Sequence, residues 1–133
     1  MDLNLRLIKA KDFLKASPLG EYDLEMSKQF LLKLARENAD RRQYDILIDI
    51  RGMSDSLTFA DVMEMVQVMI DNRDSFRSKL AILTSFGHQF DNAKFMELYA
   101  GNRGFRVRAF DRFEEALNWL AASAKMSDAD SRR

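Results

Sequence analysis

The chain has 133 residues, 47% of them hydrophobic and 32% charged, enough for one packed domain and too few for two. Lysine plus arginine balance aspartate plus glutamate at 21 each, so no global field draws the protein to nucleic acid or acidic lipid. The absence of cysteine excludes disulfides, thiolate metal sites and cysteine nucleophiles. The start, Met1-Asp2-Leu3-Asn4, has neither a basic nor an apolar signal region, and no apolar run approaches membrane-spanning length. The expectation is a cytoplasmic domain that is not an integral membrane protein.

Leu3, Leu5 and Leu7 alternate with Asn4 and Arg6, the period-two pattern of a half-exposed strand. A turn over Lys9–Asp12 leads to a second short strand at Phe13–Ala16, and Pro18 with Gly20 marks a break. Asp23 is placed to cap a helix over Leu24–Arg41, whose apolar stripe is Met26, Phe30, Leu31, Leu34 and Ala35. Tyr44–Ile50 is apolar on both faces, as a central parallel strand requires. After a polar loop, Arg51–Leu57, Thr58 and Asp61 approximate a capping box for a helix over Phe59–Asn72 that turns Val62, Val66, Met69 and Ile70 inward. Lys79–Thr84 is another buried strand.

The loop Phe86–Phe90 follows, with Asp91 expected to cap a helix and Phe90 and Phe95 to staple it. Phe95, Leu98 and Tyr99 are its expected inner face, and Gly101 and Gly104 its end. Phe105–Phe110 alternates, and a central strand would not hold Arg106 and Arg108, so this is an edge strand. Asp111 and Glu114 suggest a second capping box for a helix that buries Phe113, Ala116, Leu117, Leu120 and Ala121. Residues 125–133 are small and polar and are expected to fray, leaving one domain over 1–124. Strands alternating with helices predict right-handed parallel crossovers, with the first hairpin as an antiparallel edge.

Three stretches carry a likeness to a known family: DILIDIRG at 45–52, KLAIL at 79–83 and FRVRAFDRFEEALNWL at 105–120. With this order of elements the chain resembles the STAS superfamily, and most closely its SpoIIAA-like branch, related to bacterial anti-anti-sigma factors. The resemblance implies a single α/β sandwich with a mixed, mostly parallel sheet of four or five strands and about four helices. It implies a non-catalytic regulatory domain that binds a protein partner through the loop and helix start after the central strand. In such domains a Ser or Thr there is sometimes phosphorylated. It also implies, as an alternative, a carrier or sensor for a lipid or other small apolar ligand. The run Asp55-Ser56-Leu57-Thr58 departs from the switch motif by lacking its glycine.

Read from the residues, Arg51, Ser54, Ser56 and Thr58 surround a helix start whose free N–H groups favour an anion or phosphate, with Arg51 adding charge. More simply, Thr58 caps the helix and the serines are solvated. Asp49, inside an apolar strand, contacts a ligand or, more simply, accepts from loop N–H groups or pairs with Arg51 or Arg103. With Met63, Thr84, Phe86, His88 and Phe90 it forms the set of candidate pocket residues, and Met65 joins the apolar ones. His88 is the only histidine, and no acidic cluster surrounds it in sequence, so neither a metal nor another cofactor is expected. A triad of His88 with its sequence neighbours Ser85 and Asp91 lacks a nucleophile elbow. Arg103, Arg106, Arg108 and Arg112 form a local basic group without the wider field of a nucleic-acid site. Homo-oligomerisation is left open.

Overall fold

The structure, a computed structural model, describes residues 3–10, 12–39 and 44–131, with side chains as far as residue 122. In chain order its elements are β1 (Leu5–Lys9), β2 (Phe13–Pro18), β3 (Gly20–Glu21), α1 (Leu24–Glu37), β4 (Asp45–Asp49) and β5 (Met53–Ser54). They continue with α2 (Phe59–Asp71), a 3-10 turn (Arg73–Ser75), β6 (Lys79–Leu83), α3 (His88–Gly101), β7 (Arg106–Phe110) and α4 (Phe113–Ser131). The first helix stops at Glu37 with Asn38 as its C-cap, short of the expected end at Arg41. Of the expected polar tail, the backbone of residues 125–131 continues α4, and only 132–133 lie outside the described residues.

The main sheet has the order β1-β2-β4-β6-β7, with β1 antiparallel to β2 and the remaining neighbours parallel. This is the mixed, mostly parallel α/β sandwich that the strand–helix alternation predicts. Because strands are added in chain order through crossovers of one hand, their connecting helices fall on one face. Phe30, Leu31 and Leu34 of α1, Val62, Val66 and Met69 of α2, and Ala93, Met96 and Ala100 of α3 share a core with Leu14, Ile46, Ile48, Leu80, Ile82 and Val107 of the sheet. The alternate strand residues Leu47, Ala81, Leu83 and Phe110 pack on Ala116 and Leu120 of α4. Each large apolar side chain so buried stabilises the fold by about 1.5–3 kcal/mol.

Differences from the sequence reading lie at helix ends and flanks, and in the stretches read as loops around Gly20 and Met53, which pair as β3 and β5. A left-handed Gly87, with φ of 86°, turns the chain into α3 at His88, so Asp91 lies inside the helix and cannot be its cap. Phe90 therefore also sits within the helix, and no staple forms with Phe95. The buried face of α3 is Ala93, Met96 and Ala100, while Leu98 is 64% exposed. Small residues let the helix lie close to the sheet, and Phe95 and Tyr99 fill its flank instead. Phe95 stacks on Phe59 of α2 at 4.5 Å between ring centroids. In α4, Ala116 and Leu120 are buried, but Phe113 and Ala121 are exposed, because this helix lies over β6 and β7 rather than over the whole sheet. It also opens at Phe113, one residue later than an Asp111 cap would set.

Asn38, fully buried at the C-cap of α1, joins three segments. Its Nδ2 donates to the carbonyls of Tyr44 (3.3 Å) and Ser75 (3.2 Å), and its Oδ1 accepts from the Tyr44 N–H at 2.9 Å. Replacing Asn38 by Leu keeps the volume but leaves these buried groups without their amide partner, so urea denaturation should show a loss of about 1–3 kcal/mol.

Candidate functional site

The carboxyl ends of β4 and β6 meet the N-termini of α2 and α3, where an open α/β sheet places its crevice. Beyond Asp49 the chain turns through Arg51 and Gly52 into β5, which pairs in parallel with β3 in a small second sheet. Gly20 N–H donates to the Gly52 carbonyl at 3.0 Å, and Tyr22 N–H to the Ser54 carbonyl at 2.9 Å. A Cβ at position 52 would meet Leu19 Cδ2 at 2.8 Å, so any side chain there would push the Leu19 side chain aside. Asp55 Oδ1 accepts from Leu57 N–H at 3.1 Å, a local turn that buries Leu57. The expected capping box is present: Thr58 Oγ1 accepts from Asp61 N–H at 3.1 Å, and Asp61 Oδ2 from Thr58 N–H at 2.9 Å.

The first turn of α3 fixes both loops. Gln89 Oε1 accepts from Ser85 N–H at 3.2 Å, while its Nε2 donates to the carbonyls of Ile50 (2.9 Å) and Met53 (2.7 Å). Asn92 Nδ2 donates to the Leu57 carbonyl at 3.0 Å. Neither residue stood out in the sequence. The signal available was their phase: positions 89 and 92 fall on the helical face of buried Ala93 and Met96, where an amide needs a backbone partner.

The expected site residues divide into three places. Asp49 and Arg51 belong to the face covered by α4. Arg51 Nε and Nη2 donate to Asp49 Oδ1 (3.0 Å) and Oδ2 (2.9 Å), and Arg51 N–H donates to Oδ1 at 3.1 Å. Lys15 Nζ stands 3.9 Å from Oδ2. The structure thus engages Arg51 on Asp49 rather than on the start of α2, so the expected anion anchor is not assembled. Arg103, the other proposed partner of Asp49, instead lies over the Tyr99 ring at 3.5 Å. Burial works to raise the Asp49 carboxyl, but the Arg51 hydrogen bonds and the charges of Arg51 and Lys15 outweigh it and hold the carboxyl below its ordinary 3.8.

Ser54, Ser56 and Thr58 are exposed on the rim itself. Two open hollows flank them: one of about 510 Å³ bordered by Glu21, Asp23, Ser54, Asp55 and Ser56, the other of about 680 Å³ bordered by Ser56, Thr58, Phe59, His88 and Asp91. With Glu21, Asp23 and Asp91 exposed along it, the rim is acidic, while the Asp55 side chain is buried beneath it. His88 Nε2 lies 3.3 Å from Asp55 Oδ1 and 3.3 Å from Asn92 Nδ2. Its carboxylate neighbour is therefore Asp55, not the adjacent Asp91 that the sequence suggested.

The apolar candidates do not converge. An apolar cavity of about 70 Å³ lies beneath the rim, lined by Tyr22, Phe30, Ile48, Leu57, Met65 and Met96 among others. Met65 reaches it, whereas Asp49, Met63, Thr84, Phe86, His88 and Phe90 are not among its lining. Met63 and Phe86 are 42% and 87% exposed. Thr84 is buried, and its Oγ1 is the buried side-chain polar atom without a hydrogen-bond partner among the described residues.

Among solved structures the chain is similar to an uncharacterised protein of the DUF3478 family from Shewanella loihica PV-4 that has a SpoIIAA-like fold. The TM-score is 0.60 at 17% identity, over 89% of this chain and 93% of that one. The fold is accordingly SpoIIAA-like, as the sequence resemblance implied. No protein-family model matches the sequence, and no curated protein does. Among the described residues no helix is long and apolar enough to cross a membrane, and no cluster of His, Asp and Glu is built to hold a metal ion.

Two outcomes test this geometry. A carboxyl lowered in the folded state stabilises fully above its unfolded value and loses that contribution as pH falls through the folded one. Asp49→Asn should therefore cost about 1–2 kcal/mol near neutrality, since the half-exposed Arg51 can turn to water. In chemical denaturation from pH 7 down to 3, its gap from the wild type should close below about pH 4. Gln89→Leu should lower stability by about 1–2 kcal/mol and speed amide exchange at Ser85, whose N–H loses its acceptor.

Proposed function

We propose that this is a non-catalytic regulatory domain that binds a protein partner through the rim formed by Ser54–Phe59 and the start of α3. The observation that supports this reading most is that the rim is at once exposed, acidic and held in place. Gln89, Asn92, the capping box and the small β3–β5 sheet fix its backbone, so a partner need not order it on binding. Phe59, 51% exposed, borders one of the acidic hollows, and Phe86, 87% exposed, lies in the loop leading into His88; the two supply apolar anchors. The partner that complements this surface presents lysine or arginine beside an apolar side chain.

The same geometry indicates how a switch would act. Thr58 Oγ1 is engaged in the capping box, and Arg51 is held by Asp49, so a phosphate on Thr58 would have to displace the cap without gaining that arginine. Ser56 borders both hollows. A phosphate there would join a surface carrying Asp23 and Asp91, adding repulsion within the rim and altering its fit to a partner. A lipid carrier has no comparable support, because a cavity of about 70 Å³ is far below the ~300–1,000 Å³ of small-molecule pockets.

The test compares affinity captures from native lysate on wild-type, Phe86→Ala, Glu21→Lys/Asp91→Lys and Leu98→Ala baits. One and the same protein should be retained by the wild type and by Leu98→Ala, which is exposed away from the rim. Retention should drop at least tenfold for the other two variants and weaken as salt rises, and Ser56→Glu should change it more than Ser56→Ala. Equal retention by all baits would refute the rim as the contact surface.

A further inference from the structure

The two edges of the main sheet are finished differently. At β7, Arg106 and Arg108 project from the strand, and Glu97 of α3 reaches over so that its Oε1 accepts the Ala109 N–H at 2.8 Å. That edge is charged and partly capped, as strands that must not pair with another chain usually are. At β1 the hairpin bonds set the phase of the backbone. Ala10 N–H donates to the Phe13 carbonyl (2.9 Å) and Leu19 N–H to the Asn4 carbonyl (2.8 Å). Asn4, Arg6, Ile8 and Ala10 therefore direct their peptide groups to β2, while Leu5, Leu7 and Lys9 direct theirs outward. Among the described residues, no hydrogen bond from another element reaches that outer row.

Both faces beside this row carry apolar surface left in contact with water. On the helix-covered face Leu3, Leu5 and Leu7 reach the core but are only partly buried. On the opposite face Ile8 is 47% exposed, beyond the reach of α4, which packs on β6 and β7.

We propose that the outer edge of β1 pairs antiparallel with β1 of a second copy of this chain, about a two-fold axis at Leu7, joining the two sheets into one. The strand is complementary to itself in this register. Leu7 faces the partner's Leu7, Leu5 faces the partner's Lys9, and Arg6 faces the partner's Ile8. No charged residue meets a like charge, which is the condition for favourable cross-strand pairs. Moving the axis to Lys9 would bring two lysines face to face, so charge selects against that register. The outward groups of Leu5, Leu7 and Lys9 each gain backbone bonds, and the half-exposed leucines gain cover. A strand of five residues buries little area, so the association is concentration-dependent rather than obligate. It uses a surface separate from the rim and stands or falls independently of the proposed function.

The phase of the strand supplies a selective variant. The Leu7 N–H takes no part in the β1–β2 ladder, so Leu7→Pro removes an outward donor while leaving the hairpin bonds intact. Sedimentation equilibrium from about 10 µM to 1 mM should give a dimer that grows with concentration for the wild type. Leu7→Pro and Ile8→Lys, the latter placing a lysine opposite the partner's Arg6, should each weaken it at least tenfold. Because the chain has no cysteine, a single Leu7→Cys variant reports the register directly. Opposed Cα atoms in a hydrogen-bonded antiparallel pair lie about 5.5 Å apart, within disulfide reach. Mild oxidation should cross-link Leu7→Cys efficiently and Lys9→Cys poorly. A wild type that stays monomeric throughout, or a dimer indifferent to Ile8→Lys with no Leu7→Cys cross-link, would overturn the proposal.

Discussion

Strands β2, β4, β6 and β7 are laid side by side in chain order, and crossovers of one hand carry α1, α2 and α3 to the same face of the sheet. Only α4 remains for the other face, and one helix cannot cover a five-stranded sheet. This uneven cover governs the rest of the molecule. It brings the first turns of α2 and α3 together at the carboxyl ends of β4 and β6. It also leaves β1 and β2 partly open on their α4 side, with Ile8 and Phe113 in contact with water.

The polarity of the rim follows from which way side chains leave β4. Alternation along the strand sends Ile46 and Ile48 toward the helices, and Leu47 and Asp49 toward the α4 side. A buried carboxylate on that side is costly unless paired. Asp49 draws in the cationic side chain nearest in the chain, Arg51, with Lys15 from the adjacent strand nearby. The arginine that the loop sequence offered to an incoming anion is used in satisfying the strand before it. What remains at the helix starts is acidic, and that sets the charge of any partner suited to it.

Gln89 shows how one side chain holds this arrangement. An amide has both donor and acceptor ends, so it can bind a carbonyl of one loop and an N–H of another at once. Here it links Ile50 and Met53 of the loop after β4 to Ser85 of the loop after β6. The hydroxyl of Thr84, adjacent to this link, is buried without a partner among the described residues.

By itself the sequence made the five strands of the main sheet, the four helices and their order legible, because they depend on local periodicity; the short β3–β5 pair lies in two stretches that read as loops. Alternation at Leu3–Leu7 and Phe105–Phe110, the two-sided apolar run at Tyr44–Ile50 and the Thr58–Asp61 box each reflect a pattern that neighbours in the chain enforce. It also limited Asp49 to a partnered role, since an apolar strand leaves a carboxylate few alternatives. The tertiary structure decided what depends on distance across the fold. It replaced Leu98 by Ala93 and Ala100 on the inner face of α3, because close packing on β7 favours small residues over long ones. It gave His88 to Asp55 instead of Asp91, and kept Met63 and Phe86 out of the cavity that Met65 enters. Periodicity says which way a side chain leaves its own helix or strand; which group from elsewhere stands opposite depends on how those elements are stacked.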